Sequence, residues 1–226
     1  MTTFAILHGS GDGGWAWQRV CDALRARGHE AVAPDLPTDR ADATWAGCAA
    51  AVADAVGPAD DVVVVGHSGG GFLVPLVADR LGARLQVHVA GMVPTPDETP
   101  SEWFDHVGWS GAEADPLVLF YEDVPADVAA RAMARQRPTS ERLAATPCPV
   151  PALPSVPVRY VVTARDRFLP PELQRRVAAD RLGITDPDEI DAGHCPHLSR
   201  PEELAELLVD LLVDSARRSG GSAHHQ

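Results

Sequence analysis

Residues 62–81 read VVVVGHSGGGFLVPLVADRL, a run in which four consecutive valines give way to Gly66-His67-Ser68-Gly69-Gly70 and then to a second apolar stretch. Four valines without polar alternation have the pattern of a strand covered on both faces, and residues 72–81 have the pattern of a helix. The junction fits Gly-x-Ser-x-Gly, which puts a serine on a sharp strand-to-helix turn. Gly66 and Gly70 supply the missing side chains that let strand and helix approach closely. The start of the following helix aims its N–H groups and positive dipole end at the same spot, favouring developing negative charge. A glycine-rich turn can also cradle a phosphate, but neither the wider dinucleotide spacing nor a lysine is present. Taken alone, the five residues also read as a plain structural turn. Joined to a base and an acid further along the chain, Ser68 is the candidate nucleophile.

Outward from that junction, strand and helix signals alternate. Strands are expected at residues 4–7, 31–34, 62–65, 85–90, 158–163 and 188–190, and helices at 15–27, 42–56, 72–81, 171–182 and after Ser199. Strands separated by helices of this length need right-handed crossovers and a largely parallel sheet covered on both faces, so the fold class is α/β. Ser199 and Glu202 are spaced as a capping box before the last helix, whose Leu204, Leu207, Leu208, Leu211 and Leu212 form one apolar stripe. Residues 94–156 break the alternation. They are proline-rich and include an alanine-rich helical stretch at 127–136, which makes them a cap over the strand ends, inserted into a core formed by 1–93 and 157–218. Trp103, Phe104, Trp109, Phe120 and Tyr121 concentrate there, either lining an apolar pocket or packing the cap down. Residues 219–226 are small and polar and read as a disordered tail.

Composition narrows the chemistry. The chain has 226 residues, enough for one substantial core, and a formal charge of −13 that opposes binding to nucleic acid or an anionic membrane. All 19 basic residues are arginine, which removes Schiff-base lysines, lysine-bound pyridoxal phosphate and the lysine of a phosphate loop. Cys21, Cys48, Cys148 and Cys195 form no CxxC pair, so neither a zinc site nor a disulfide framework is expected, and free thiols suit a reducing cytoplasm. No apolar run reaches bilayer-spanning length, and no signal peptide is apparent at the N-terminus. The alanine, arginine and proline richness suggests a GC-rich bacterial genome. The expected partner is a small-molecule substrate, without metal or cofactor, with a homodimer left open.

A serine hydroxyl needs a base, and the base an orienting acid. Among nine histidines, His194 follows the last strand signal and precedes the last helix, at the sheet edge expected for Ser68; His197 is its near rival. Asp166 lies just past the strand at 158–163, between Arg165 and Arg167, where a surface ion pair is the competing reading. Asp186, Asp188 and Asp191 are weaker candidates, being too close to His194 along the chain. The order Ser68, Asp166, His194 is nucleophile, acid, base, the order of one fold.

These motifs, with His8-Gly9-Ser10-Gly11-Asp12-Gly13-Gly14-Trp15-Ala16-Trp17, Thr163-Ala164-Arg165-Asp166-Arg167 and Gly193-His194-Cys195-Pro196-His197-Leu198-Ser199, resemble the α/β-hydrolase superfamily. Within it, the likeness is to the small methylesterase branch that includes salicylate-binding protein and hydroxynitrile lyases. The resemblance covers nearly the whole chain. It implies an α/β-hydrolase fold reduced to about six mostly parallel strands with a small helical cap, and acyl transfer on an ester, thioester or lactone. It also implies an oxyanion hole from the backbone N–H groups of Ser10 and Gly69. The lyase members carry a catalytic lysine near the histidine; Cys195 and Pro196 stand there instead, which makes cyanohydrin cleavage improbable. A non-hydrolytic reaction on the same triad, or a binding protein with a vestigial triad, are the alternatives.

Overall fold

The computed structural model describes residues 1–111, 114–150 and 156–221, with backbone alone for 218–221. Its six strands are β1 (Thr3–Leu7), β2 (Glu30–Val32), β3 (Val62–His67), β4 (Leu85–Val89), β5 (Val158–Thr163) and β6 (Asp188–Ile190). They form one sheet in the order β2-β1-β3-β4-β5-β6, every pair parallel. Parallel neighbours require crossovers, and helices supply them: α1 (Gln18–Ala26), α2 (Trp45–Val56), α3 (Val74–Leu81) and α8 (Pro171–Leu182).

The period-2 alternation of the strands sorts the core into two layers. Phe4, Ile6, Val63, Val65 and Val87 pack with Val20 and Leu24 of α1 on one face. Ala5, Leu7, Val62, Val64 and Val162 pack with α2, α3 and α8 on the other. The four valines of β3 are 0–2% exposed because each face of the central strand carries a helical layer, as the unbroken apolar run implies. Among the described residues, no helix is long and apolar enough to cross a membrane. All four cysteines are free and buried.

The insertion between β4 and β5 carries α4 (Pro100–His106), α5 (Pro116–Tyr121), α6 (Ala126–Ala134) and α7 (Glu141–Ala144); its residues 112–113 and 151–155 lie outside the described set. Trp103, Leu143 and Cys148 join the same apolar cluster as β3 and α3, and Trp103 Nε1 donates to the Val93 carbonyl at 3.0 Å. Its entry is also pinned by Glu98, whose buried carboxylate accepts from the Arg181 guanidinium of α8 at 2.5 and 2.9 Å. The Arg181 partnership and the His106 hydrogen bond hold Glu98 below the ordinary range against the opposing pull of burial.

Two local expectations are corrected. Ser199 does not cap the last helix: it ends the short α9 (Pro196–Ser199), its hydroxyl approaches the Cys195 carbonyl at 3.4 Å, and Glu202 pairs with Arg19 at 2.9 Å. Pro201 opens α10 (Pro201–Gly221) instead, since its fixed φ and missing N–H suit a first helical position. A capping box does exist, formed by Thr99 and Glu102 at the start of α4. Helix α10 also continues through residues 219–221, which have the composition of a tail; residues 222–226 lie outside the described set. Leu204, Leu208, Leu211 and Leu212 are buried on α1 and the sheet, as the stripe requires, and Leu207 is partly so.

Candidate active site

Strand β3 delivers Ser68. Gly66 has no room for a side chain, since a Cβ there would overlap Val74 of α3, and a Cβ on Gly70 would stand 2.6 Å from the carbonyls of Leu7 and His8. The turn between them forces Ser68 to φ 49°, a left-handed conformation that costs a non-glycine residue on the order of 1–3 kcal/mol. The chain then makes a 3₁₀ turn, Ser68–Phe72, before α3 begins at Val74. The single helix expected at 72–81 is thus a tight turn followed by a shorter helix.

Strand β5 delivers Asp166 and the loop after β6 delivers His194. The Ser68 Oγ lies 3.0 Å from His194 Nε2, and His194 Nδ1 lies 2.7 Å from Asp166 Oδ2. All three are buried. A carboxylate only accepts, so His194 carries its proton on Nδ1 and offers the Nε2 lone pair to the serine hydroxyl. Asp166 is not the surface ion pair that its neighbours suggest: Arg165 pairs with Asp191, and Arg167 with Glu122. Its Oδ1 accepts from the backbone N–H groups of Phe168 and Leu169, both at 2.8 Å, and its Oδ2 from Thr163 Oγ1 and Gln174 Nε2. Five donors counting His194 satisfy a buried charge in place of a cation. His197, the rival base, is turned away, with its Nε2 3.0 Å from Asp12 Oδ2 and its ring stacked on Trp17. Asp191 is held by Arg165, Asp188 pairs with Arg159, and neither is hydrogen-bonded to His194, whose Nδ1 faces Asp166.

Two histidines to which the sequence assigns no role shape the site. His67 Nε2 lies 2.8 Å from the His194 carbonyl; a carbonyl only accepts, so the ring donates and holds the backbone of His194. Burial, then the neighbouring His197 and His194, push its pKa well below the ordinary value, which keeps it neutral. His8 acts on the other wall: Nδ1 donates to the Gly9 carbonyl at 2.9 Å while Nε2 accepts from the Leu36 N–H at 3.0 Å, and burial lowers its pKa as well. The one sequence signal for His67 is a polar residue closing an apolar strand, which does not reveal a partner 127 residues away.

The Gly9-Ser10 loop so held lies against the turn after Ser68. A side chain on Gly69 would overlap the Ser10 hydroxyl and come 3.3 Å from the Ser10 nitrogen. The two backbone nitrogens expected to form an oxyanion hole are thus brought together beside Ser68. Two cavities adjoin this loop and share Gly9, Ser10, Met92 and Phe104 as walls. One, of about 130 Å³, is lined by Ser68, His194, Asp12, Gln136 and the rings of Phe120, Tyr121 and Phe168. The other, of about 240 Å³, is lined by Ser10 and Gly69 together with Trp45, Phe72, Met92, Phe104 and Leu143. Of the insertion's aromatics, Phe104, Phe120 and Tyr121 line these two cavities, whereas Trp103 packs and Trp109 borders a separate cavity and donates to the Phe168 carbonyl at 2.8 Å. Among the described residues, no three His, Cys, Asp or Glu side chains are grouped so as to hold a metal ion.

Comparison with known proteins agrees with this architecture. The family described as "Alpha/beta hydrolase family" matches residues 4–207. Norfluorocurarine synthase 2 of Strychnos nux-vomica is 26% identical, the match covering 92% of this chain and 94% of that protein. Esterase PIR7B of Oryza sativa subsp. japonica is 28% identical with the same coverages. Both are plant proteins and add nothing to the bacterial origin suggested by composition. Among solved structures, polyneuridine aldehyde esterase superposes with a TM-score of 0.76 at 20% identity, covering 93% of this chain and 99% of that one.

Proposed function

The chain belongs to the alpha/beta hydrolase family, and from that premise we propose that it is a serine hydrolase of the carboxylesterase type, cleaving a small ester, thioester or lactone. The observation that carries the reading is the continuous line Ser68 Oγ, His194, Asp166, with 3.0 and 2.7 Å between partners. Ser68 Oγ attacks the carbonyl carbon as its proton passes to His194 Nε2. Asp166 fixes the imidazole tautomer and stabilises the imidazolium. The oxyanion is met by the N–H groups of Ser10 and Gly69. Collapse of this intermediate breaks the bond to the leaving oxygen, which takes the proton from Nε2, and water repeats the cycle to release the acid. Similarity to a protein named an esterase supports this chemistry.

The name of the Strychnos relative favours a second reading, in which the same triad is used by a synthase and the product is more than the hydrolysed ester. One experiment separates the two. Wild type and Ser68→Ala are compared on p-nitrophenyl acetate, and wild type is weighed after treatment with phenylmethylsulfonyl fluoride. The esterase reading expects turnover that Ser68→Ala abolishes, with an adduct on Ser68. Labelling of Ser68 without turnover of any ester in an acyl and alcohol panel supports the synthase reading. Unchanged turnover by Ser68→Ala refutes both.

A further inference from the structure

The tetrahedral carbon of the proposed reaction has four substituents, and the site disposes of three. One is Ser68 Oγ. The second, the oxyanion, faces the N–H groups of Ser10 and Gly69. The third, the leaving oxygen, must come within hydrogen-bond reach of His194 Nε2 to collect its proton, and His194 lines the smaller cavity with Ser68. Neither Ser68 nor His194 borders the larger cavity, which Gly9, Ser10 and Gly69 line on the side of the nucleophile turn. A leaving oxygen held at His194 Nε2 directs its own substituent into the smaller cavity, which His194 and Ser68 line. The larger cavity, on the side of Gly9, Ser10 and Gly69, is left for the fourth substituent, the acyl chain.

We propose that the larger cavity is the acyl site and that it selects uncharged, apolar acyl groups of roughly six to eight carbons over acetyl. This assignment rests on the esterase reading. Size supports it: about 240 Å³ exceeds the roughly 150 Å³ of an apolar cavity that accepts benzene. Chemistry supports it too. Trp45, Phe72, Met92, Phe104 and Leu143 form its walls, Ser10, Thr38, Ser101 and Thr139 bring hydroxyls to its border, and no charged side chain among the described residues lines it. A carboxylate or ammonium on the acyl chain would lose its hydration there without a partner. The smaller cavity is also walled largely by apolar side chains, Met92, Phe104, Phe120, Phe168 and Leu198, but Asp12, Gln136 and Tyr121 border it as well, so a hydroxyl or amide group on the substrate finds partners in the alcohol half.

The test varies the two halves of the ester separately, on wild type and on Ala144→Trp. Ala144 borders the larger cavity and not the smaller, and is partly exposed at the end of α7, so an indole there occupies the proposed acyl space. Wild type should show kcat/KM at least tenfold higher for ethyl hexanoate than for ethyl acetate. Ala144→Trp should lower that ratio at least tenfold while moving the ratio of hexyl acetate to ethyl acetate less than threefold. If Ala144→Trp does not fold by circular dichroism, Thr139→Phe, on the same wall, is held to the same outcome. A collapse of the hexyl acetate ratio instead, or no change in either ratio, overturns the assignment while leaving the esterase reading intact. No turnover of any of these esters and no adduct on Ser68 overturns the esterase reading and the assignment with it.

Discussion

His88 offers a quantitative check on the packing around the nucleophile strand. It sits in β4 opposite Gly66 of β3, is fully buried against Tyr160, and neither ring nitrogen has a hydrogen-bond partner among the described residues. Burial alone lowers its pKa to about 3. The unfolded chain takes up a proton near its ordinary value of about 6.5 while the native ring does not, so stability is constant at higher pH and falls as pH drops below about 6.5. Integrating that difference from pH 8 to pH 5 gives a loss of about 2 kcal/mol from this residue. Any native value below about 4 returns nearly the same figure, because at pH 5 the native ring is then almost unprotonated. Buried His8 and His67 add losses of the same sign, so the measurement needs a reference that removes His88 alone. Urea unfolding of wild type and His88→Leu, followed by far-ultraviolet circular dichroism at pH 8 and pH 5, provides it. Wild type should lose about 2 kcal/mol more than the variant between the two pH values. Parallel losses, within about 0.5 kcal/mol, would refute the account of His88 as a buried neutral ring.

Two further predictions concern the site. In Asp166→Asn the backbone N–H groups of Phe168 and Leu169 keep the amide oxygen on their side, so the NH₂ faces His194 Nδ1 and drives the imidazole proton to Nε2; kcat should fall on the order of 10³–10⁴-fold with KM little changed, read by steady-state kinetics. Gly70→Ala places a Cβ 2.6 Å from the Leu7 and His8 carbonyls, and overpacking of this kind should cost about 1–3 kcal/mol in urea unfolding and reduce turnover, because those carbonyls lead directly into the Gly9-Ser10 loop.

What the sequence reveals here depends on how local the physics is. The sheet is legible because an unbroken valine run and the alternation of Phe4, Ala5, Ile6 and Leu7 state which faces are covered. The elbow is legible because Gly66 and Gly70 answer a steric demand set within five residues. Strand β3 nonetheless runs two residues further than its valines, since Gly66 and His67 pair with His88 and Val89 of β4, an interaction the valine run cannot announce. The Ser199–Glu202 spacing misleads for a related reason: Pro201 can begin a helix unaided, and Arg19 offers Glu202 a better partner across the fold. Thr163 and Gln174, which hold Asp166, and His67, which holds His194, look like ordinary polar residues until distant parts of the chain meet. The two cavities are hardest to foresee, because their walls combine α2, the elbow and the inserted helices.

The separation of the three active groups along the chain has a consequence for biosynthesis. Synthesis runs from the N-terminus, so Ser68 leaves the ribosome 126 residues ahead of His194, its base in the proposed mechanism. Until β6 docks at the edge of the sheet and presents His194, the nascent polypeptide carries only an ordinary alcohol. Under the proposed mechanism, activity arrives late, nearly all at once, and a chain arrested before His194 leaves every ester around it intact.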